Sequence, residues 1–136
     1  MTLQFTKAEE YGLFGVIHLA KQQRGAIVSL GEISEAQDIP DKFLAKIFQN
    51  LTRAGLLRSH RGVRGGFSLA RPPRRVSIGE VFEAIQADGD PIKCAVDGKE
   101  CPKKEDCPVR DLVLEGRRHM FAYYSRRTLQ DLAERY

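Results

Sequence analysis

Cysteine is scarce. The three present, Cys94, Cys101 and Cys107, all lie within one short stretch. An odd, clustered set does not make the disulfide framework that staples small secreted domains. Long apolar runs are missing too: no stretch approaches the roughly 18 uncharged apolar residues of a membrane span. The opening Met1-Thr2-Leu3-Gln4-Phe5-Thr6-Lys7 has no basic segment followed by an apolar one, so no export signal is read. A cytoplasmic protein with no membrane partner is expected. No phosphate-cradling glycine loop, nucleophile motif or catalytically spaced carboxylate pair is found, so an enzyme is not expected. Finally, from Lys42 to Arg75 there is not one acidic residue.

That last absence is informative because the same segment holds nine bases: Lys42, Lys46, Arg53, Arg58, Arg61, Arg64, Arg71, Arg74 and Arg75. A field of one sign over a compact segment suits a polyanion. It also suits a solvated basic face, so local structure has to decide. The remaining composition, 42% hydrophobic and 29% charged over 136 residues, is that of an ordinary globular domain. Its core must be small, and burial against a second copy would help it.

Helical spacing of Leu13, Val16, Ile17 and Ala20, with Phe14 alongside, predicts a helix from Lys7 to Gln23, stopped by Gly25. Ser29-Leu30-Gly31-Glu32 is a capping-box pattern that opens a short helix to about Gln37, with Ile33 and Ala36 inward. Asp38-Ile39-Pro40 breaks the chain. A third helix then runs from Pro40 to Ala54 and ends at Gly55. Phe43, Leu44, Ile47, Phe48 and Leu51 form its apolar stripe, while Lys42, Lys46, Gln49 and Arg53 share another face. Two short helices about a sharp turn, the second basic outside, make a helix-turn-helix.

Leu56–His60 and Phe67–Ala70 are short strand-like runs around a glycine-rich connection, which predicts a hairpin. A hairpin directly after a helix-turn-helix is a wing. Its tip carries Arg61 and Arg64 among Gly62, Gly65 and Gly66, a slim cationic shape that can enter a minor groove. After the stiff Arg71-Pro72-Pro73-Arg74-Arg75 linker, a second capping box at Ser77-Ile78-Gly79-Glu80 opens a helix through about Ala87. Ile78, Val81, Phe82 and Ile85 face inward from it. One long helix from about Val109 to Ala133 is predicted last. Its Leu112, Leu114, Met120, Phe121, Tyr124, Leu129 and Leu132 are too much apolar surface for a lone helix to leave in water. A two-fold partner would bury them and match a palindromic duplex.

The cysteine loop, Cys94-x6-Cys101-x5-Cys107, is long enough to wrap an iron–sulfur core. Pro102 and Pro108 stiffen the turns after two of its thiols. Lys93, Lys99, Lys103 and Lys104 can offset cluster charge. The same residues could form a metal-free thiol switch. Zinc is a third reading, although structural zinc usually takes tighter C-x2–4-C pairs.

Several stretches taken together resemble a known family. They are Phe5-Thr6-Lys7-Ala8-Glu9-Glu10-Tyr11-Gly12-Leu13, Ile39-Pro40-Asp41-Lys42-Phe43-Leu44, Ala54-Gly55-Leu56-Leu57-Arg58-Ser59-His60-Arg61-Gly62 and, most specifically, Gly65-Gly66-Phe67-Ser68-Leu69-Ala70-Arg71-Pro72-Pro73. With the three-cysteine loop before the last helix, the chain resembles the Rrf-type iron–sulfur winged-helix repressors (IscR-, NsrR- and RirA-like proteins) over nearly its whole length.

The resemblance implies a mainly α fold with a small β-hairpin wing: a winged helix-turn-helix over residues 1–87, a cluster loop over 88–108 and a dimerisation helix over 109–136. It implies a homodimer on a double-stranded DNA operator. The contacts would come from Asp41, Lys42, Lys46, Gln49, Arg53, Arg58, Ser59, Arg61 and Arg64, with Arg61 reaching the minor groove. It implies a [2Fe–2S] or [4Fe–4S] cluster on Cys94, Cys101 and Cys107 that reports nitric oxide, oxygen or redox state, or iron. The family's usual cysteine spacing is five residues in both gaps, and here the first gap is six. Some members take a fourth ligand from a His three residues after the last cysteine, where this chain has Arg110, a group that cannot ligate when charged. Others use an acidic residue of the first helix, which here is Glu10. Glu10 from the partner protomer is therefore the expected ligand, with Glu9 and His18 as competitors. The rival functions are a cluster-free thiol or zinc regulator and a cluster-carrier protein.

Overall fold

The computed structural model describes residues 5–86 and 106–135. Helix α1 (Lys7–Ala20) is opened by a complete capping box: the Thr6 hydroxyl accepts from the Glu9 N–H, and the Glu9 carboxylate accepts from the Thr6 N–H at 2.8 Å. It ends three residues before the expected Gln23. Helix α2 (Leu30–Gln37) is capped by the Ser29 hydroxyl, which accepts from the Glu32 N–H at 3.2 Å. Glu32 does not reach back to the Ser29 N–H, so only half of the expected box forms. Asp38 then takes a left-handed conformation with φ 53°, a bend that Asp tolerates better than most residues. It starts the chain directly into α3 (Asp41–Arg53), with Pro40 as the N-cap.

The inward residues differ in part from the expected ones. In α2, Ile33 is buried as expected, but Ala36 is exposed. Ser34 is buried instead, its hydroxyl bonded to the Ile39 carbonyl. In α3, Leu44, Ile47, Phe48 and Leu51 are buried, whereas Phe43 is half exposed and meets the Tyr11 ring edge-on at 5.7 Å. Phe43 stands at the edge of the stripe, where helical geometry turns it toward α1 and solvent rather than the core.

Strands β1 (Leu57–His60) and β2 (Gly66–Leu69) pair antiparallel, with Leu57 opposite Leu69 and His60 opposite Gly66. Val28 adds a bridge to Phe67 on the outer edge of β2, through N–H···O bonds of 2.9 and 2.8 Å. The wing is thereby tied to the loop before α2. Pro73–Arg75 makes one 3-10 turn. Helix α4 (Ile78–Ile85) then opens with the complete Ser77–Glu80 capping box and buries Ile78, Val81 and Phe82.

The expected single last helix is two helices. Helix α5 (Pro108–Ser125) stops at Arg126, and α6 (Leu129–Ala133) restarts after Thr128. The cause is another capping box, in which Thr128 and Asp131 satisfy each other's backbone N–H groups. The break turns α6 back onto the body, where the Leu129 N–H bonds the Val76 carbonyl at 2.8 Å and Leu129 is fully buried. Leu129 thus belongs to the domain's own core rather than to a partner. Helix α5 contributes no buried residue, and Val109, Leu112, Val113, Met120 and Phe121 stay exposed along it. No helix among the described residues is long and apolar enough to cross a membrane.

Around Phe48 the core is tight. A Cβ on Gly15 would lie 2.7 Å from the Phe48 ring, so α1 approaches α3 as closely as only glycine allows. The other side of the ring packs edge-on against Phe67 of the wing, with centroids 5.1 Å apart. One side chain therefore fixes α3 against both α1 and the hairpin.

Candidate nucleic-acid interface and cysteine site

Burial of Leu44, Ile47, Phe48 and Leu51 leaves the opposite face of α3 to water. Asp41, Lys42, Lys46, Gln49 and Arg53 are all exposed there. Arg58 and Ser59 are exposed on β1, and Arg61 and Arg64 are exposed on the wing tip. The tip itself is a tight turn, with the Gly65 N–H bonded to the Gly62 carbonyl at 2.9 Å. Gly62 has φ 103°, a conformation costly for any residue with a Cβ.

Of the nine bases between Lys42 and Arg75, only Arg71 has a carboxylate partner among the described residues: Glu80, at 2.8 Å. The field of the other eight is not cancelled locally, which is the condition for steering and holding a phosphate backbone. Val63, flanked by the two tip arginines, is fully exposed as well. Sequence reading did not single it out, since one valine in a turn carries no pattern.

His60 and Ser68 join the two strands at the wing base, with His60 Nε2 2.8 Å from Ser68 Oγ. His18 Nδ1 lies 3.2 Å from Gln37 Nε2, between α1 and α2. That contact gives His18 a structural partner. The Glu80 carboxylate is buried enough to raise its pKa, but bonds from the Ser77 N–H, Arg71 and the Ser77 hydroxyl outweigh this and hold it below the usual value.

The two acidic candidates of α1 have separate surroundings. Glu9 is buried, its carboxylate bonded to the Thr6 N–H and to Gln86 Nε2. Glu10 is half exposed, and among the described residues its carboxylate is bound by Lys7 Nζ, at 3.2 Å across the surface. Cys107 is the N-cap of α5; it is a free, half-exposed thiol that makes no capping bond, with Pro108 next in the helix. Cys94 and Cys101 lie outside the described residues. Among the described residues, no group of three or more His, Cys, Asp or Glu side chains converges on a metal position.

Residues 5–135 match the family described as Rrf2, iron-dependent transcriptional regulator. The chain is 28% identical over 130 residues to protein rrf2 of Nitratidesulfovibrio vulgaris, covering 96% of this chain and 87% of that one. It spans 52–61% of the length of several other curated relatives. Among solved structures it is similar to CymR (YrzC), the global cysteine regulator of B. subtilis (27% identity, TM-score 0.74, 99% of both chains). It is also similar to T. potens IscR (27% identity, TM-score 0.75, 98% of this chain and 88% of that one). The family is one of transcriptional regulators rather than enzymes, and several of the curated relatives carry the name of HTH-type transcriptional regulators. The helix-turn-helix, its hairpin wing and the helix beyond belong to one shared architecture, and the chain is a member of the Rrf2 family of DNA-binding transcriptional regulators.

Proposed function

We propose that the chain acts as a homodimeric repressor whose grip on a DNA operator is set by an iron–sulfur cluster. The observation that carries the DNA half is the exposed basic face of α3 beside the wing arginines, none of which is ion-paired to a carboxylate among the described residues. Helix α3 enters the major groove with Asp41, Lys42 and Lys46 toward base edges, while Gln49 and Arg53 meet the backbone. Arg58 and Ser59 add backbone contacts. Arg61 and Arg64 reach the minor groove from the wing tip. The apolar residues along α5 pack on the same helix of a second protomer, which spaces the two recognition helices for a palindromic site.

The donor set fits a cluster. Cys94, Cys101 and Cys107 would hold it, with Glu10 of the partner subunit as the fourth ligand. Two features support this assignment: Cys107 is a free thiol at a helix N-terminus, where negative charge is favoured, and among the described residues the Glu10 carboxylate is bound by one exposed lysine. Glu9 is already committed to its cap and to Gln86. Three thiolates and one weaker oxygen donor would hold the cluster, which when bound would supply a redox-active centre responsive to nitric oxide, oxygen or iron loss. What the chain's own residues do is tie the segment between α4 and α5 to α1 of the other protomer. That tie sets the relative placement of the two α3 helices, and a coupling of about 1–3 kcal/mol is enough for regulation.

The test of the DNA half is competition between a duplex selected from a random pool and bulk duplex in moderate salt. The selected duplex should win, and Arg53→Ala, which removes a backbone contact, should flatten the salt dependence by about 0.9 of log–log slope for each phosphate no longer neutralised. Equal affinity for both duplexes would remove the regulator reading and leave a carrier protein. For the cysteine half, colourless protein without iron or sulfide after anaerobic reconstitution would leave a thiol-switch or zinc regulator.

A further inference from the structure

Gln86 is the last described residue before the cysteine segment and forms the C-cap of α4. Its side-chain amide is used at both ends. Nε2 donates to Glu9 Oε1 of α1, and Oε1 accepts from Arg117 Nη2 of α5 at 3.4 Å. An amide supplies the donor and the acceptor this needs, whereas a carboxylate at 86 would repel Glu9 and an ammonium has no acceptor for Arg117. Glu9 is buried and is also half of the box that opens α1, one residue before Glu10. It lies near Tyr124 as well. Burial chiefly, and the Glu9 charge next, hold that phenol above its ordinary pKa.

Packing does not require these bonds. Helix α4 is anchored by buried Ile78, Val81 and Phe82, and α5 by the Phe82–Tyr124 ring contact at 4.9 Å. Gln86 itself is exposed. An exposed polar side chain that joins three helices at the root of the cysteine segment does little for the core. It is well placed to register what pulls on that root.

We propose that Gln86 is a positioning residue that couples the state of the cysteine segment to α1 and α5. Gln86 is where the described chain enters that segment, and a shift of its backbone would loosen both side-chain bonds together. Glu9 and the start of α1 then lose one restraint and Arg117 loses another. This rests on the proposal above that the cysteines govern operator binding.

The experiment measures the affinity of the full-length protein for the selected duplex, anaerobically, with the three cysteines intact and with Cys94, Cys101 and Cys107 replaced by Ala. The ratio of the two affinities is the coupling. In the otherwise native chain it should lie in the roughly 5–150-fold range of regulatory coupling. Gln86→Ala should bring it to within about twofold of unity while the melting temperature stays near native. Gln86→Glu should do the same by repelling Glu9. The exchange Glu9→Gln with Gln86→Glu rebuilds the chain of bonds with the donor reversed and should restore the ratio. An unchanged ratio in Gln86→Ala overturns the proposal, as does a parallel fall of both affinities with a lowered melting temperature, which marks a merely structural residue. Failure of the exchange to restore the ratio overturns it too. A ratio of one in the otherwise native chain is a different failure: it removes cysteine control itself, and this coupling with it.

Discussion

Phe48→Ala and Phe43→Ala delete the same ring from the same helix, seven ångströms or so of helix axis apart, yet their consequences should differ sharply. Phe48 has no exposed surface, touches Gly15 of α1 and stacks edge-on against Phe67. Removing a fully enclosed ring loses its transfer free energy and leaves a cavity, about 3–5 kcal/mol together. Phe43 is 49% exposed and keeps one aromatic neighbour, Tyr11. Its loss should cost about 1 kcal/mol, the worth of an aromatic pair with partial burial. With a urea slope of about 1–3 kcal/mol/M, the midpoint should fall by roughly 1–5 M for Phe48→Ala and by about 0.3–1 M for Phe43→Ala, so at any one slope the first fall is about three to five times the second. Both variants should be unfolded at one protein concentration, since association shifts such midpoints. Phe48→Leu, which keeps much of the volume, should fall between them and cover the case in which Phe48→Ala does not fold. Equal midpoints for the two alanine variants would refute the division of α3 into a core face and a solvent face, and with it the placement of Lys42, Lys46, Gln49 and Arg53.

Three further outcomes follow from single residues. Leu129→Ala should cost about 2–5 kcal/mol in thermal or urea unfolding, because α6 is part of the core; a cost under about 1 kcal/mol would return it to the surface. Arg61→Ala should weaken operator binding and reduce the log–log salt slope by about 0.9, leaving the melting curve and visible absorbance unchanged; unaltered affinity at near-physiological salt would sink the wing assignment. The Glu80 carboxyl is held below its usual pKa of 4.5 in the folded chain, so its bonds to Ser77 and Arg71 stabilise the fold above that pH, and the benefit is lost as pH falls through the lowered value. Glu80→Gln should therefore melt lower than native protein near pH 7, with the gap closing below about pH 4.5; a constant gap down to pH 3 would contradict this.

The parts of the fold set by local chemistry are legible in the residues. Ser77–Glu80 folds as the expected capping box, Ser29–Glu32 forms half of one, and the glycine-rich tip turns back as a hairpin, whereas the Thr6–Glu9 box is not read from the sequence. The split after Ser125 is not read from the sequence, although its signal, Thr128 three residues before Asp131, is of the same kind. The apolar spacing of Tyr124, Leu129 and Leu132 runs through the turn and masks it. Ala36, Phe43 and Ser34 show a different limit, because which edge of a stripe is covered depends on neighbouring helices. The exposed bases of α3 follow from periodicity alone. The roles of Glu9 and Gln86 do not, since their bond joins positions 77 residues apart. It is also that bond that separates Glu9 from Glu10, a distinction two adjacent acids in a sequence do not reveal.

The most direct test of the central claim is one titration of the selected duplex with anaerobically purified protein, before and after its iron and sulfide have been removed and counted. Bands between about 320 and 460 nm with matching iron and sulfide, and an operator affinity that changes by roughly 5–150-fold on their removal, are the predicted result. An affinity indifferent to that removal, or a protein that never takes up iron and sulfide, would contradict it.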